Sequence, residues 1–234
     1  MATPIPSNTS GFTLGEVAFA TGGILNGPAD AVVTGVTTDS RLAPAGALFV
    51  ALRGPHFDGH EHLGDAGNRG ARAAIVERGR RDARLPCVEV DDTLRALGGL
   101  ARHHLERIRT KTGLRLIAIG GANGKTTTKE LTAALAATLF GATLKTPGNL
   151  NNLIGVPMTL LTLTEEHRAA VIECGTNRRG EVAELARILT PDVALVLNVD
   201  IEHSEGLGTI NEIADEETSL FRGAGTAVAS AEEP

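Results

Sequence analysis

The fold of this chain is indicated most strongly by the stretch Ile119-Gly120-Gly121-Ala122-Asn123-Gly124-Lys125-Thr126-Thr127-Thr128. An apolar run at residues 116–119 precedes the glycines and a helical pattern at Lys125–Phe140 follows them, which predicts a turn between a strand and a helix. Such a turn points several backbone N–H groups at one spot, where the helix dipole adds partial positive charge. The stretch therefore predicts a phosphate-binding loop.

The residue types in this loop fit a nucleotide and a magnesium ion. Lys125 can neutralise the β- and γ-phosphates of ATP, and the hydroxyl of Thr126 can ligate Mg²⁺. Ile119 stands where the strict P-loop pattern has its first glycine, so a plain tight turn is the competing interpretation. The candidate nucleotide-binding residues are Gly121, Asn123, Gly124, Lys125, Thr126 and Thr127.

The chain around the loop reads as an α/β fold. From residue 114 onward, apolar strands at 116–119, 169–173 and 193–199 alternate with helical stretches at 125–140 and 182–188, which predicts βαβ units and a mostly parallel sheet. Parallel sheets bind ligands at the carboxyl ends of their strands. Polar residues that follow these strands are therefore the first candidates for function.

The residues before this region predict a smaller α/β unit. Residues 11–90 contain a helical stretch at 13–21 and apolar segments at 32–36, 47–52, 73–76 and 87–90. An amphipathic pattern at 92–109 predicts a long helix, and Gly113 is a suitable stop for it. We predict two domains, residues 11–90 and residues 91–234.

Three further motifs lie at predicted strand ends. The segment 146–157 contains Asn149, Asn151 and Asn152, which alone could be local capping residues of a loop. Glu173 closes a strand, where a metal-bound phosphate needs a hard oxygen ligand, although such a glutamate is often a cap or an ion-pair partner. His203 follows another strand and can ligate a second metal beside a nucleotide, or be an ordinary polar residue.

Composition and charge narrow the class of protein. The net charge of −6 argues against binding along a nucleic-acid backbone, and no apolar run is long enough for a membrane span. Cys87 and Cys174 lack metal-ligand spacing, so buried thiols in a reducing compartment are expected. We expect a cytoplasmic protein that binds neither nucleic acid nor membrane.

In this order and spacing, the motifs closely resemble the Mur ligase family of cell-wall enzymes. The resemblance runs from residue 14 to residue 234. It is carried by Thr127-Thr128-Lys129-Glu130 after the loop, by segments 148–157 and 198–208, by Gly180-Glu181-Val182-Ala183-Glu184-Leu185, and by Thr38-Asp39-Ser40-Arg41, segment 46–52 and Asp58-Gly59-His60 near the start. It replaces a zinc interpretation of His56, His60 and His62.

The resemblance implies a small N-terminal domain for a uridine nucleotide and a P-loop central ATPase domain. It implies an ATP-dependent peptide ligase that adds D-alanyl-D-alanine to UDP-N-acetylmuramoyl-tripeptide through an acyl phosphate. ATP and Mg²⁺ are the expected cofactors. The implied catalytic residues are Lys125, Glu173 and His203, the implied metal ligands are Thr126, Glu173 and His203, and the implied substrate-binding residues are Thr38, Asp39, Ser40, Arg41, Asn149, Asn151 and Asn152.

The sequence departs from the family pattern in four places. Glu217 stands where the family has a carbamylated lysine near the second metal, so Glu217 is added as a candidate metal ligand. Two hydroxyls of the phosphate loop are replaced by Gly120 and Ala122, and residues 230–234 replace an Asn-x-Asp-Asp run near the adenine. The family also implies more central domain and a C-terminal domain after residue 234, so a truncated product, a second chain that supplies the remainder and a binding remnant are the open alternatives.

Two other interpretations remain open. A non-catalytic sensor of nucleotides or UDP-sugars would keep the phosphate loop and the uridine pocket, and Glu217 favours it. A generic P-loop ATPase that acts on a protein partner would explain the loop but leave residues 38–41 and 148–157 without a role.

Overall fold

The structure, a computed structural model, describes residues 3–82, 84–200 and 208–231. It divides into two compact units, one formed by residues 6–104 and the other by Met1–Ile5 with Leu105–Pro234. Within the described ranges, no helix is both long and apolar enough to cross a membrane. The predicted domains, 11–90 and 91–234, stay a prediction.

The unit that contains the phosphate loop is built on a parallel sheet. Its described elements are β10 Arg115–Gly120, α4 Lys125–Phe140, β11 Thr143–Lys145, α5 Gly155–Leu160, β12 Ala169–Glu173, α6 Glu181–Leu189, β13 Val193–Val196, α7 Ile210–Thr218 and β14 Thr226–Ala229, with a 3₁₀ turn at Ser219–Phe221. The five described strands run parallel in the order β11-β12-β10-β13-β14. The phosphate loop follows the central strand of these five.

Small residues let α4 lie close to this sheet. Ala133 and Ala136 are buried against Ile119 of β10 and Val171 of β12. They lie three residues apart, so they share the face of α4 that meets the sheet. Burial of this face fixes the direction in which the N-terminus of α4 points.

The second unit holds a smaller mixed sheet. Its described elements are β1 Gly11–Thr13, α1 Leu14–Thr21, β2 Ile24–Asn26, β3 Val32–Thr34, β4 Val36–Thr37, β5 Leu48–Val50, β6 Arg53–Gly54, β7 Phe57–Asp58, α2 Leu63–Arg69, β8 Ala73–Glu77 and β9 Cys87–Val90, with 3₁₀ turns at Ser40–Leu42 and Gly59–His62. The described main sheet has the order β2-β9-β8-β5-β4, and only β2 is antiparallel to its neighbour. The long helix α3, Thr93–Thr112, begins in this unit and ends in the other.

The α/β prediction is confirmed, and most predicted elements exist. Helix α4 and strand β12 have the predicted bounds, and α3 ends before Gly113, whose φ of 68° suits a helix stop. The strand predicted at 193–199 ends three residues early, at Val196. Strands β11 and β14 were not predicted, because each is short and lacks a strong apolar pattern.

The small unit should depend on Phe49, which is fully buried beside Leu63 and Val76. Phe49→Ala leaves a cavity, so we expect a loss of about 3–5 kcal/mol in the free energy of unfolding. Phe19→Ala is the matched control, because Phe19 is 81% exposed. Urea unfolding followed by far-UV circular dichroism measures both, since the chain has no Trp or Tyr to report by fluorescence. Equal shifts for the two variants would contradict this account of the core.

Candidate functional site

The phosphate loop has the backbone shape that its glycines predict. Gly121 and Gly124 have φ values of 112° and 84°, a region that other residues rarely adopt. A side chain at residue 121 would also lie 2.9 Å from the backbone nitrogen of Leu197. Gly124 is the N-cap of α4 and has no side chain to accept hydrogen bonds from the first turn. The loop therefore leads directly into a helix N-terminus suited to an anion.

Two side chains hold the loop in this shape. The ammonium group of Lys125 donates to the carbonyl oxygens of Gly121 (2.5 Å) and Ala122 (2.6 Å). Asn198 pairs with the backbone of Asn123 on both sides: its Oδ1 accepts from the Asn123 N–H at 2.8 Å, and its Nδ2 donates to the Asn123 carbonyl at 3.2 Å. Asn198 follows β13, so the neighbouring strand end braces the loop.

Glu173 is the best-connected side chain of the site. Its carboxylate accepts hydrogen bonds from the Thr126 hydroxyl (3.0 Å) and from Nδ2 of Asn151 (2.9 Å). The ammonium group of Lys129 lies 3.5 Å from the same carboxylate. The backbone N–H of Glu173 donates to the Thr146 hydroxyl at 2.9 Å. One buried carboxylate thus joins the start of α4, the end of β12 and the asparagine segment.

The three asparagines of that segment have three different environments. Asn151 contacts Glu173, and Asn149 accepts a hydrogen bond from the Thr3 hydroxyl at 2.9 Å. Asn152 accepts from the backbone N–H groups of Ile154 and Gly155, so it caps the start of α5. The local-capping interpretation is therefore correct for Asn152, yet all three asparagines also line a common cavity.

This cavity gathers several of the predicted residues. Its volume is about 300 Å³, and it is lined by Ala122, Lys125, Asn149, Asn151, Asn152, Gly175, Thr176, Asn177, Asp200, Ile213 and Glu217. The walls come from the phosphate loop, the asparagine segment and the residues after β12 and β13. This is the carboxyl edge of the sheet, where a parallel sheet is expected to bind its ligand.

Glu217 contacts the phosphate loop itself. It is buried, and its Oε2 accepts a hydrogen bond from the Gly121 N–H at 2.8 Å. Its neighbour Glu216 is also buried and accepts from the backbone N–H groups of Gly180 (2.7 Å) and Val182 (2.8 Å) at the start of α6. Helix α7 therefore supports the phosphate loop with Glu217 and the start of α6 with Glu216.

Cysteine is not the reactive group of this site. Cys174 is fully buried directly after Glu173. Burial, and then the charges of Glu217 and Glu173, raise the pKa of its thiol far above the usual range. Burial is likewise the main cause that raises the pKa of the buried Cys87 thiol. The prediction of buried thiols is confirmed.

The predicted uridine-nucleotide residues lie in the other unit and form a compact turn. Asp39 caps the Ser40–Leu42 turn, and the guanidinium of Arg41 pairs with its carboxylate at 2.7 Å. The hydrogen bond from Arg41 is the main cause that lowers the pKa of Asp39. Thr38 and Ser40 are half-buried beside it, and Arg41 is exposed.

His60 has a structural role. Its Nε2 accepts a hydrogen bond from the Glu77 N–H at 2.9 Å, and its Nδ1 lies 2.6 Å from the Asp58 carboxylate. An Nε2 that accepts leaves the proton on Nδ1, so the ring links two backbone segments of the small unit. His203, the predicted second metal ligand, lies outside the described residues.

The oxygen atoms at Glu173 fit a hard divalent cation only in part. The Thr126 hydroxyl and the Glu173 carboxylate lie together and are suitable ligands for Mg²⁺. In the part of the chain that the structure describes, however, no three His, Cys, Asp or Glu side chains are grouped closely enough to hold a metal. A cation here would therefore need ligands from a bound phosphate.

Together, the parallel sheet, the glycine loop at its central strand and the carboxylate at the next strand end define an α/β protein with a P-loop type turn between strand and helix. Two family models match the chain: the Mur ligase middle domain at residues 119–234 and the Mur ligase family catalytic domain at residues 32–105. The chain belongs to the Mur ligase family, as the resemblance predicts.

Two curated relatives carry the same ligase name. The chain is 43% identical over 211 residues to UDP-N-acetylmuramoyl-tripeptide–D-alanyl-D-alanine ligase of Escherichia coli. The match covers 90% of this chain and 45% of the relative. The corresponding Bacillus subtilis ligase is 37% identical, and the match covers 82% of this chain and 41% of that ligase. The chain thus spans about half the length of the curated relatives it matches.

Solved structures agree with this assignment. A crystal structure of MurF from Acinetobacter baumannii matches with a TM-score of 0.89 and 35% identity, over 97% of this chain and 50% of that one. MurF from Thermotoga maritima in complex with ADP matches with a TM-score of 0.75 and 31% identity, over 84% and 45%. The α/β fold is therefore the fold of these ligases over the matched region.

Sequence reasoning did not assign a role to several residues of the site. The motifs that contain Lys129 and Asn198 do not indicate a role for either residue, although both contact predicted site residues. A lysine within the core-facing pattern of a helix is a signal that could have identified Lys129. Thr146 and Glu216 gave no comparable signal, because their partners are backbone N–H groups far away in sequence.

The phosphate loop should not tolerate a side chain at residue 121. Gly121→Ala adds both positive-φ strain and a contact with the backbone of Leu197, whereas Gly141→Ala, at a φ of 96°, meets nothing within 4 Å. We expect the strain alone to cost about 1–2 kcal/mol and the contact to add about 1–3 kcal/mol. Urea unfolding of both variants measures the difference. A Gly121→Ala variant no less stable than Gly141→Ala would contradict the loop geometry.

Proposed function

We propose that this chain binds ATP and a UDP-muramoyl peptide for a ligase that joins D-alanyl-D-alanine to UDP-N-acetylmuramoyl-tripeptide. One observation carries the proposal: the Thr126 hydroxyl and the Glu173 carboxylate meet at 3.0 Å beside a glycine loop at a helix N-terminus. A phosphate group on the loop and a cation between these oxygens are the natural occupants of such a site. The names of the similar ligases support the choice of substrates.

The proposed reaction has two steps. The terminal carboxylate of the muramoyl peptide attacks the γ-phosphorus of ATP, ADP leaves, and an acyl phosphate forms. The amine of D-alanyl-D-alanine then attacks the acyl carbon, a tetrahedral intermediate forms, and inorganic phosphate leaves with the amine losing its proton. Neither step needs a protein nucleophile, which agrees with the inert Cys174. The protein contributes position and charge.

The residues of the cavity have distinct roles in this proposal. The loop amides and Lys125 hold the phosphates, and Gly121, Asn123, Gly124, Thr126 and Thr127 complete the nucleotide site. Lys125 already touches two loop carbonyls, so it can turn from them to a phosphate over a short distance. Asn149, Asn151 and Asn152 present amide groups to the muramoyl peptide from the opposite wall.

Mg²⁺ would be held by Thr126, Glu173 and phosphate oxygens, and it would neutralise charge that develops on the transferred phosphoryl group. His203 is proposed as a ligand of a second ion. Glu217 is a candidate for the same ion, although one of its oxygens is engaged with Gly121. We place the activity in the cytoplasm.

The uridine nucleotide is proposed to bind at the turn of Thr38, Asp39, Ser40 and Arg41 in the small unit. Two half-buried hydroxyl-bearing residues flank a carboxylate whose charge Arg41 compensates. Such a turn can donate and accept hydrogen bonds at the polar edge of a base or ribose. The absence of Trp and Tyr agrees with recognition through polar edges rather than through stacking.

A nucleotide sensor of the same family is the second candidate. It is favoured by Glu217, whose carboxylate takes the Gly121 N–H that a phosphate could use. Phosphate release that requires ATP and both peptide substrates supports the ligase. Nucleotide binding without phosphate release, in the presence of both substrates, supports the sensor.

The nucleotide proposal predicts that Thr126→Val weakens binding of a non-hydrolysable ATP analogue with Mg²⁺. Loss of one cation ligand should raise the Kd about tenfold or more, which equals about 1.4 kcal/mol. Thr138→Val is the matched control, because Thr138 lies on the same helix and its exposed hydroxyl only contacts the Ala134 carbonyl. Calorimetric titration gives both constants. Wild-type affinity in the Thr126→Val variant would count against the proposed site.

The uridine proposal predicts that Arg41→Ala weakens binding of UDP-N-acetylmuramoyl-tripeptide. The chain offers a near-identical control in Arg84, which pairs with Asp82 at 2.6 Å and lowers its pKa to about 2. We expect Arg41→Ala to raise the Kd about tenfold and Arg84→Ala to leave it unchanged, because only the first pair lies in the proposed pocket. Calorimetry with the muramoyl nucleotide measures both, and equal effects would remove the assignment.

A further inference from the structure

Lys129 is a buried cation that the proposed mechanism does not use. Its side chain is 1% exposed, and it lies one helical turn after Lys125 on α4. It shares its helix face with the buried Ala133 and Ala136, so an ammonium group lies where an apolar residue is expected. Burying an ammonium group is costly unless oxygen atoms compensate for the lost water.

Three oxygen atoms provide this compensation. The Lys129 ammonium donates to the Gly148 carbonyl at 3.1 Å, lies 3.5 Å from the Glu173 carboxylate, and lies 3.4 Å from the half-exposed carboxylate of Glu130. One hydrogen bond and two ion pairs thus hold the ammonium group in place. The Glu173 carboxylate that it neutralises is the one that also accepts from the Thr126 hydroxyl.

We propose that Lys129 is a positioning residue that serves as a resident cation for Glu173. It holds the carboxylate towards Thr126 and neutralises its charge before any external cation binds. The inference rests on the proposed function, because it concerns the carboxylate assigned there to Mg²⁺. It goes further by stating when that ion binds.

The consequence is an order of binding. A divalent cation that arrives alone meets a carboxylate already paired with an ammonium group, and like charges within a few ångströms repel strongly in a buried site. A nucleotide supplies phosphate oxygens that outweigh this repulsion. The cation should therefore bind weakly to the free protein and tightly together with the nucleotide.

Lys129 also fixes the wall of the cavity. Its bond to the Gly148 carbonyl ties α4 to the asparagine segment, and Asn151 reaches the other oxygen of Glu173. The Lys129 ammonium group, which lowers the affinity of the site for a free cation, therefore also positions the segment proposed to contact the muramoyl peptide.

The test is titration of the full chain with Mn²⁺, read by electron paramagnetic resonance, with and without ADP. Lys129→Met keeps the length of the side chain and removes its charge. We expect this variant to bind Mn²⁺ at least about tenfold more tightly than wild type when ADP is absent, and to gain less from ADP. A purely structural role would weaken binding instead.

Two further variants separate charge from shape. Lys145 also pairs with Glu130, but its side chain is half exposed. The Lys145→Met variant should therefore bind Mn²⁺ as wild type does. The double variant Lys129→Met with Glu173→Gln lacks both charges and should lose the added affinity. Added affinity that persists in the double variant would overturn the inference.

Folding of the Lys129→Met variant is part of the test. An unpaired buried carboxylate should lower its thermal midpoint, and Mn²⁺ should raise that midpoint more than it does for wild type. A variant that stays unfolded in Mn²⁺, or that binds no more tightly than wild type, contradicts the inference. If wild type fails to bind Mn²⁺ even with ADP, the proposed function fails as well. This outcome distinguishes failure of the proposed function from failure of the inference alone.

Discussion

The site depends on one buried carboxylate, that of Glu173. It lies at the end of β12 and is reached from α4 by Thr126 and Lys129 and from the asparagine segment by Asn151. A carboxylate removed from water must be matched by donors and by positive charge, and here the donors come from two separate parts of the chain, the start of α4 and the asparagine segment. These segments must therefore take up fixed relative positions for Glu173 to be buried at all. The solvation requirement of a single side chain thus organises the phosphate loop, the strand end and the cavity wall.

A second layer of carboxylates supports this arrangement from α7. Glu216 satisfies backbone donors at the start of α6, while Glu217 satisfies Gly121 in the phosphate loop. Adjacent residues on a helix point in directions about 100° apart, so one helix can serve two neighbours. The Thr209 capping box fixes where α7 begins and hence where these two carboxylates fall. The phosphate loop is braced from this side and, through Asn198, from the end of β13.

The sequence predicts those parts of the architecture whose signals lie close together along the chain. Helix α4 and its glycine turn were predicted with their bounds, because the glycines, the helix pattern and the preceding strand are local in sequence. The helix pattern indicates that Lys129 is buried, but it does not indicate what Lys129 contacts, because its partners at 148 and 173 are distant along the chain. Asn152 caps α5, as the capping interpretation predicts, and it also lines the cavity, whereas its contact with a substrate stays a prediction. Local chemistry identified the loop, but only tertiary contacts identify the residues that hold it.

The charges around the cavity explain why such a site would depend on a cation. Among the described residues that line the cavity, the ammonium group of Lys125 stands against the carboxylates of Glu217 and Asp200, and Lys129 is already paired with Glu173, so side-chain charge alone does not attract a polyphosphate. Backbone amides and the helix dipole favour an anion, but they supply only a fraction of a unit charge. Under the proposed function, the remaining attraction arrives with the ligand, as a metal ion shared with its phosphates. The Glu173 carboxylate, which would repel a bare nucleotide, would then be a ligand for that ion, so the site would favour the metal-bound form of the nucleotide.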